Sequence, residues 1–225
     1  MKIIKPSVTI VTDLSDETVA TMLVCLERAG RTCYKSSTHG DPGKFISGIV
    51  SRGHESVIEH VSITVEIRTD RGVTHELVRH RLGAYSQEST RYVNYAKKEI
   101  EYVEPIEFIS RPLIYNMWKA GCDVNATHYL EMLKMGCQPQ EARSLLNNSL
   151  ATTIVATYNL REWRHVFKMR CAKEAHAHIK EIMIPLLMYF KKKFVGMFDD
   201  IIYDKEFYIN YQNRINEYIK EDWVK

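Results

Sequence analysis

The sequence lacks the patterns that mark thiol chemistry and membrane insertion. Its five cysteines lie far apart and form no CxxC pair, so they indicate neither a zinc ribbon nor a thioredoxin-like motif. No run of about 18 uncharged apolar residues occurs, which argues against an ordinary transmembrane helix. The N-terminal residues contain no long apolar stretch of the kind found in signal peptides. We therefore expect a cytoplasmic protein with reduced thiols.

Several common catalytic signatures are also missing. Neither GxGxxG nor GxxxxGK[ST] occurs, so a nucleotide would have to be held by side chains and helix termini. There is no GxSxG motif of the hydrolase type. His75 and His80 are separated by five positions, which places them about 140° apart on a helix, so they would not share a metal ion. We expect no metal site.

The composition is that of an ordinary globular protein. Hydrophobic residues make up 45% of the chain and charged residues 26%, and the net charge of +3 is too small to indicate a nucleic-acid-binding protein. There is no internal repeat, low-complexity tract or linker. We therefore predict one α+β domain over residues 1–225, with a tail at 203–225 that packs loosely on the surface or against a partner chain.

Hydrophobic spacing predicts both strands and helices. Residues 61–68 alternate between apolar and polar side chains, which is typical of a strand with one buried face. A helix is predicted to begin after Ser15 and to stop at Gly30. A helix over residues 73–82 is predicted to lead into a loop that carries Ser86, Ser89 and Thr90. Further helices are predicted over residues 113–134, 160–170 and 172–194, whereas residues 152–158 are compatible with a strand or a buried helix.

The densest group of polar side chains lies in residues 79–92, RHRLGAYSQESTRY. This segment holds three arginines, one histidine, two serines and one threonine. Guanidinium groups bind phosphate through two parallel hydrogen bonds, and hydroxyl groups complete such a shell of donors. The segment is therefore a candidate phosphate site. The alternative is a solvated basic loop, which the apolar residues Leu77 and Val78 and the small pair Gly83 and Ala84 around the cluster disfavour.

Four blocks of the sequence carry a resemblance to a known family. Along the chain they are GHESVIEH over residues 53–60, RHR-x7-S from Arg79 to Ser89, EAR over residues 141–143, and NLREWRH over residues 159–165 with Arg170 behind it. Together and in this order they resemble the motifs of the flavin-dependent thymidylate synthases, the ThyX family. The resemblance implies a single ThyX-like domain with a central, mostly antiparallel sheet flanked by long helices.

The resemblance also implies an activity and an assembly. Members of the family methylate dUMP reductively to dTMP, with 5,10-methylenetetrahydrofolate as the one-carbon donor. NADPH is the reductant and acts through bound FAD. The family forms homotetramers whose active sites lie between subunits. By this resemblance the partners of the chain are small-molecule substrates and its own copies, without nucleic acid or membrane.

The resemblance assigns roles to individual residues. Arg170 would be catalytic, because a fixed cation beside the uracil ring stabilises the negative charge that develops there. The residues expected to bind dUMP are Glu76, Arg79, Gln87, Glu88, Ser89, Thr90, Arg91, Arg143 and Arg170. The residues expected to bind FAD are His54, Ser56, Arg79, His80, Arg81, Gln87, Asn159, Arg161 and His165. The pair Trp163 and Phe167 is expected to lie in the core instead.

Some residues depart from the family pattern, and two other functions stay open. The departures are Glu76, Glu88, Asn147 and Glu174. One alternative is a flavoprotein of the same fold that oxidises NADPH without methylating dUMP. The other is a nucleic-acid-binding module that uses the RHR cluster.

Overall fold

The computed structural model describes residues 1–37 and 40–221, and this part of the chain contains seven strands and eight helices. The strands are β1 (Lys2–Ile4), β2 (Ser7–Ile10), β3 (Ser62–Asp70), β4 (Gly83–Gln87), β5 (Glu101–Val103), β6 (Ala151–Asn159) and β7 (Ile219–Glu221). The helices are α1 (Asp16–Tyr34), α2 (Pro42–Ser51), α3 (Arg71–Leu77), α4 (Pro112–Lys134), α5 (Pro139–Ala142), α6 (Leu160–Arg170), α7 (Ala177–Lys193) and α8 (Lys205–Ile215). Within the described residues, no helix is both long and apolar enough to cross a membrane.

Five strands form one sheet in the order β4-β6-β3-β2-β7, and β1 pairs with β5 separately. The Leu160 N–H donates to the Val61 carbonyl at the start of β3. At the other end of β3, the Arg71 N–H donates to the Leu150 carbonyl, so β3 and β6 run antiparallel. By contrast, β7 pairs with β2 in parallel, as β1 does with β5. The α+β fold class is confirmed, with parallel pairs accompanying the antiparallel ones.

Buried and less buried side chains alternate along the two long strands, β3 and β6. In β3, Ile63, Val65 and Ile67 are fully buried, as the alternation predicts. The segment left open between strand and helix is β6, in which Ile154 and Ala156 are fully buried on alternate positions. The β-branched residues of this segment suit a pleated surface better than a helix.

The chain forms two compact units, each assembled from several segments. The first unit comprises residues 1–7, 67–79 and 85–155, and the second comprises residues 8–66, 80–84 and 156–225. The prediction that residues 1–225 act as one domain stays a prediction.

Each unit has its own buried core. In the first unit, α4 contributes Cys122 and Tyr129 to a fully buried cluster that also contains Tyr102 and Leu150. In the second unit, the core is aromatic: the rings of Trp163, Phe167, Phe190 and Phe198 pack in stacked, tilted or edge-to-face pairs, with centroids 5.2 to 5.9 Å apart. Burial of Trp163 and Phe167 confirms that they are core residues.

Two predicted helix ends are wrong. Helix α1 continues through Gly30 and ends at Tyr34, where Lys35 takes the left-handed conformation that stops it. Gly30 serves close packing, because a Cβ there would lie 2.9 Å from Ile49 and 3.0 Å from Phe45 on α2. The helix predicted over residues 172–194 begins only at Ala177, after the cap residue His176.

The segment after α3 also differs from its prediction. The helix predicted over residues 73–82 ends at Leu77, whose carbonyl accepts a hydrogen bond from the Tyr85 hydroxyl at 2.8 Å. Part of the predicted loop is strand β4, which runs beside β6. Just beyond it, the Glu88 N–H donates to the Thr153 carbonyl. Main-chain hydrogen bonds to β6 stabilise this edge strand, and this stabilisation exceeds the local preference of these residues for a loop.

The C-terminal tail is folded as far as it is described, so its predicted loose packing is wrong for residues 205–221. Asp204 caps α8 by accepting from the Phe207 N–H, and Phe207, Ile215 and Tyr218 are buried. Strand β7 extends the sheet by pairing Ile219 with Val8. Residues 222–225 of the predicted tail lie outside the described residues.

Candidate functional site

In the first unit, the predicted substrate residues at 87–91 lie at the end of β4 and in the turn behind it. The Gln87 side-chain amide donates to the Thr74 hydroxyl at 2.9 Å, which fixes the end of the strand. The Ser89 hydroxyl accepts from the Arg91 N–H at 3.3 Å, so the turn closes on itself. Arg91 is exposed. The turn therefore presents a cation and a hydroxyl side by side.

Arg143 joins this turn from a distant part of the sequence. Its Nη1 donates to the Thr90 hydroxyl at 3.2 Å, although 53 positions separate the two residues. Thr90 is buried, whereas Arg143 is exposed. The structure thus brings together the second and third blocks of predicted ligands on the first unit.

Glu88 is held by a partner that sequence reasoning missed. Its carboxylate accepts a 2.9 Å hydrogen bond from the buried Tyr95 hydroxyl. Desolvation, followed by the charge of Glu88, raises the pKa of Tyr95 above its ordinary range. Arg71 lies behind the same turn, since its Nη1 donates to the Glu88 carbonyl at 3.4 Å. Sequence reasoning assigned no role to Arg71, which is the first residue of α3.

The remaining predicted substrate residues of the first unit, Glu76 and Arg79, lie at the end of α3. The Arg79 N–H donates to the Glu76 carbonyl at 3.3 Å, and the Arg79 side chain is exposed. The departure Asn147 has a local role, because its side-chain oxygen accepts from the Ser149 N–H and its amide lies 3.6 Å from the Cys122 sulfur.

The second unit contains a cleft of about 790 Å³ along α6. Asn159 caps this helix by accepting from the Glu162 N–H at 2.9 Å. The cleft is lined by Glu55, Glu59, Leu82, Asn159, Arg161, Glu162, His165 and Lys168. Three of the predicted FAD ligands are therefore on one cleft wall.

His80 and Arg170 meet in the second unit although 90 positions separate them. The Arg170 Nε donates to the His80 Nε2 at 3.0 Å. His80 is 4% exposed, and its ring packs edge-on against His165 with centroids 5.5 Å apart. Its Nδ1 lies 3.7 Å from a carboxylate oxygen of Glu162. Burial, with the charges of Arg170 and His165, lowers the pKa of His80 to about 4, so the ring is neutral at pH 7.

The same residues offer a possible metal triad. One ligand atom each from His80, Glu162 and His165 lies within 4.8 Å of the others. Spacing along the sequence could not indicate this group, because His80 comes from the segment before β4 and the other two from α6. Burial raises the pKa of Glu162 above its ordinary value.

The GHES block is tied to α6 by ion pairs. Glu55 contacts the Arg164 guanidinium at 2.9 Å, and Glu59 pairs with Arg161. The predicted FAD ligands His54 and Ser56 flank Glu55 and are both exposed. Sequence reasoning assigned no role to Glu55, Glu59 or Arg164. Their opposite charges, placed in two family blocks, were the available signal.

Three predicted site residues and one departure lie outside both the turn at residues 87–91 and the group of contacts around His80. Arg81 is exposed in the second unit, next to His80 in the chain. Glu174 is exposed beyond the end of α6. His54 lies 3.5 Å from the Tyr34 hydroxyl, and Ser56 is the second residue of the short 3-10 helix Glu55–His60.

Comparison of the sequence with models of known protein families identifies the family of this chain. Residues 16–194 match the family model described as Thy1, thymidylate synthase complementing protein. The chain belongs to this family. The matched part of this Thy1 protein contains every residue predicted to bind substrate or flavin, whereas α8 and β7 lie outside it.

Curated relatives of this Thy1 protein carry a functional name. A flavin-dependent thymidylate synthase of Pyrococcus furiosus is 32% identical over 157 residues, which cover 68% of this chain and 64% of the relative. One of Pyrococcus abyssi is 35% identical over 142 residues, covering 62% and 58%. One of Mycobacterium avium is 35% identical over 183 residues, covering 72% of each. The alignment thus spans under two thirds of the two Pyrococcus proteins.

Proposed function

We propose that this Thy1 protein is a flavin-dependent thymidylate synthase. It methylates dUMP reductively to dTMP, takes the one-carbon unit from 5,10-methylenetetrahydrofolate, and uses NADPH through FAD. The relatives' shared name supports the proposal. The structural observation that carries it is that His80, from the RHR block, contacts both His165 and Arg170, from the block at residues 159–170, in the second unit.

The cleft in the second unit fits FAD by its chemistry. The N-terminus of α6 favours an anion, and Arg161 adds a cation in its first turn, as a pyrophosphate requires. Of the three acidic residues of the cleft, Glu55 is neutralised by Arg164, while Glu59 would share Arg161 with the bound anion. When bound, FAD supplies the hydride of the reduction.

Individual residues of the second unit have defined tasks in this proposal. Asn159 holds the end of α6 in place through its cap and presents its amide to the flavin. Arg161 and Arg81 hold flavin phosphate or ring oxygens. The remaining flavin ligands that we propose are His54, Ser56, Arg79, His80, Gln87 and His165.

The turn after β4 binds the dUMP phosphate in our proposal. Arg91 and Ser89 offer a cation and a hydroxyl on one turn, and Arg143 adds a second guanidinium beside Thr90. A dianionic phosphate is bound well by such paired guanidinium and hydroxyl donors. The remaining dUMP ligands are Glu76, Arg79, Gln87, Glu88 and Arg170.

Arg170 performs the activation of the substrate. Its guanidinium is a permanent cation, and it stabilises negative charge that develops on the uracil ring, which activates C5 as a nucleophile towards the one-carbon donor. Because Arg170 is half-buried, its charge is screened less by water than that of an exposed arginine.

We propose a homotetramer in the cytoplasm with active sites at subunit interfaces. In the single chain, the predicted ligands Arg79, Arg81 and Arg143 are all exposed, which suits a site that a second copy completes. Light scattering of the purified protein tests this part: about four times the chain mass of 26.3 kDa supports it, and a monomer that makes dTMP contradicts it.

An Arg170→Ala variant tests the proposed reaction. Formation of dTMP should fall by a factor of about 100 or more, as for other losses of a charge-stabilising donor. Arg28→Ala, which removes an exposed arginine of α1, is the matched control and should leave the rate unchanged. Wild-type protein that oxidises NADPH without forming dTMP would instead indicate a flavin oxidase.

A further inference from the structure

The Arg170 guanidinium is hydrogen-bonded at its Nε to a buried histidine. Arg170 is the last residue of α6. Its Nε donates to the His80 Nε2 at 3.0 Å. A guanidinium is planar with its five N–H groups in a rigid fork, so a bond at Nε sets the direction of the two terminal nitrogens.

His80 can accept this bond only in one protonation state. Nε2 must carry a lone pair, so the ring proton lies on Nδ1, which faces the Glu162 carboxylate at 3.7 Å. Burial, with the nearby Arg170 and His165, lowers the pKa of His80 and keeps the ring neutral. The charged or titratable groups that face the ring include Glu162, His165 and Arg170, all on α6.

A metal ion at His80, Glu162 and His165 would compete with this arrangement. A cation bound at Nδ1 would move the ring proton to Nε2, and Nε2 would then be unable to accept from Arg170. The positive charge of Arg170 would also repel the ion. The hydrogen-bond geometry therefore favours a positioning role for His80 over a metal site.

We propose that His80 is a positioning residue for Arg170, whose neutral imidazole orients the guanidinium for its work on the substrate. The inference rests on the proposed function and extends it, because the family resemblance placed His80 against the flavin alone. It gives the middle residue of the RHR block a second role, exerted through Arg170 rather than on the substrate itself.

A double-mutant cycle tests the proposal by the turnover of dTMP. The variants are His80→Ala, Arg170→Ala, the double variant, and His80→Gln, whose carbonyl oxygen can still accept from Nε. We expect His80→Ala to lower kcat about tenfold or more, with a smaller change in the KM for NADPH. His80→Gln should recover much of that loss. The double variant should be no slower than Arg170→Ala, because two residues that act as one unit do not add their effects.

Other outcomes of the cycle separate the two proposals. If the wild type forms dTMP and the losses in kcat of the two single variants multiply in the double variant, the positioning role of His80 is wrong. The proposed function would then be unaffected. A fall in FAD content that accounts for the whole loss in His80→Ala would also overturn the positioning role. A wild-type protein that forms no dTMP under any condition would defeat the proposed function. His128→Gln, on an exposed face of α4, is the control for substitution of a histidine.

A spectroscopic measurement tests the contact without flavin or substrate and does not depend on the stability of His80→Ala. In the ¹⁵N-histidine NMR spectrum of the wild type at pH 7, His80 should be neutral with its proton on Nδ1. Its Nε2 resonance should shift in Arg170→Ala. A proton on Nε2, or an Nε2 resonance that Arg170→Ala leaves unchanged, would contradict the proposal.

Discussion

Replacing Arg164 by methionine should weaken the second unit severely. Arg164 is 1% exposed and donates to both oxygens of Asp200 at 2.8 Å, to Glu55 at 3.0 Å and to the Met197 carbonyl. Removing one partner of a buried ion pair costs about 3–5 kcal/mol, because the other charge stays buried and unpaired. The Asp200 side chain is 58% exposed and regains water, so we take the lower end, about 3 kcal/mol.

Thermal unfolding followed by circular dichroism measures this cost. A loss of about 3 kcal/mol corresponds to a fall in Tm of about 6–12 °C for a chain of this size. Lys168→Met is the matched control, since Lys168 also contacts Glu55, at 3.4 Å, but is largely exposed. It should lower Tm by no more than about 2 °C. Equal shifts for the two variants would refute the reasoning.

The same network predicts an acid limb of stability. The hydrogen bond from Arg164 holds the pKa of Asp200 below its ordinary value of 3.8. A lowered folded-state pKa gives stability that is present above the unfolded value and is lost as the pH falls through the folded one. The free energy of unfolding of the wild type should therefore decline below about pH 4. Arg164→Met should show a weaker decline there, and an unchanged slope would contradict the assignment.

Two further substitutions probe β4 and the substrate turn. Gly83→Ala should destabilise by about 1–3 kcal/mol in urea unfolding, because the new Cβ would lie 2.4 Å from the Tyr158 ring. Gly121→Ala, in α4 with open space around it, should stabilise by about 1 kcal/mol, and the opposite order would refute the packing argument. Arg143→Ala should raise the KM for dUMP about tenfold in a steady-state assay, whereas Thr90→Val should raise it less. An unchanged KM in Arg143→Ala would remove that residue from the site.

Periodicity predicted those elements whose burial repeats along the chain. The alternation over residues 61–68 identified β3, and the apolar spacing identified α4 and α6. It failed where a tertiary contact decides the structure. Glycine is a residue type that commonly ends helices, yet Gly30 lies within α1 because α2 packs closely against it. Strand β4 forms because β6 offers main-chain partners, which its own residues do not reveal.

The candidate site was predicted residue by residue only through the family resemblance. Residue chemistry indicated a phosphate site in 79–92, without a substrate or a partner for it. The contact of Arg170 with His80 joins residues 90 positions apart, and the contact of Arg143 with Thr90 joins residues 53 apart. Local patterns carry no information on such distances, so these pairs required the folded chain.

The most direct test of the account is an anaerobic visible absorption titration of the purified protein with FAD, followed by NADPH, dUMP and 5,10-methylenetetrahydrofolate in turn. We predict oxidised-flavin bands that bleach with NADPH in the presence of dUMP. The bands should return when the one-carbon donor is added, with one dTMP formed for each flavin reoxidised. A colourless protein that binds no added FAD, or bands that return without dTMP, would contradict the assignment of this Thy1 protein as a thymidylate synthase.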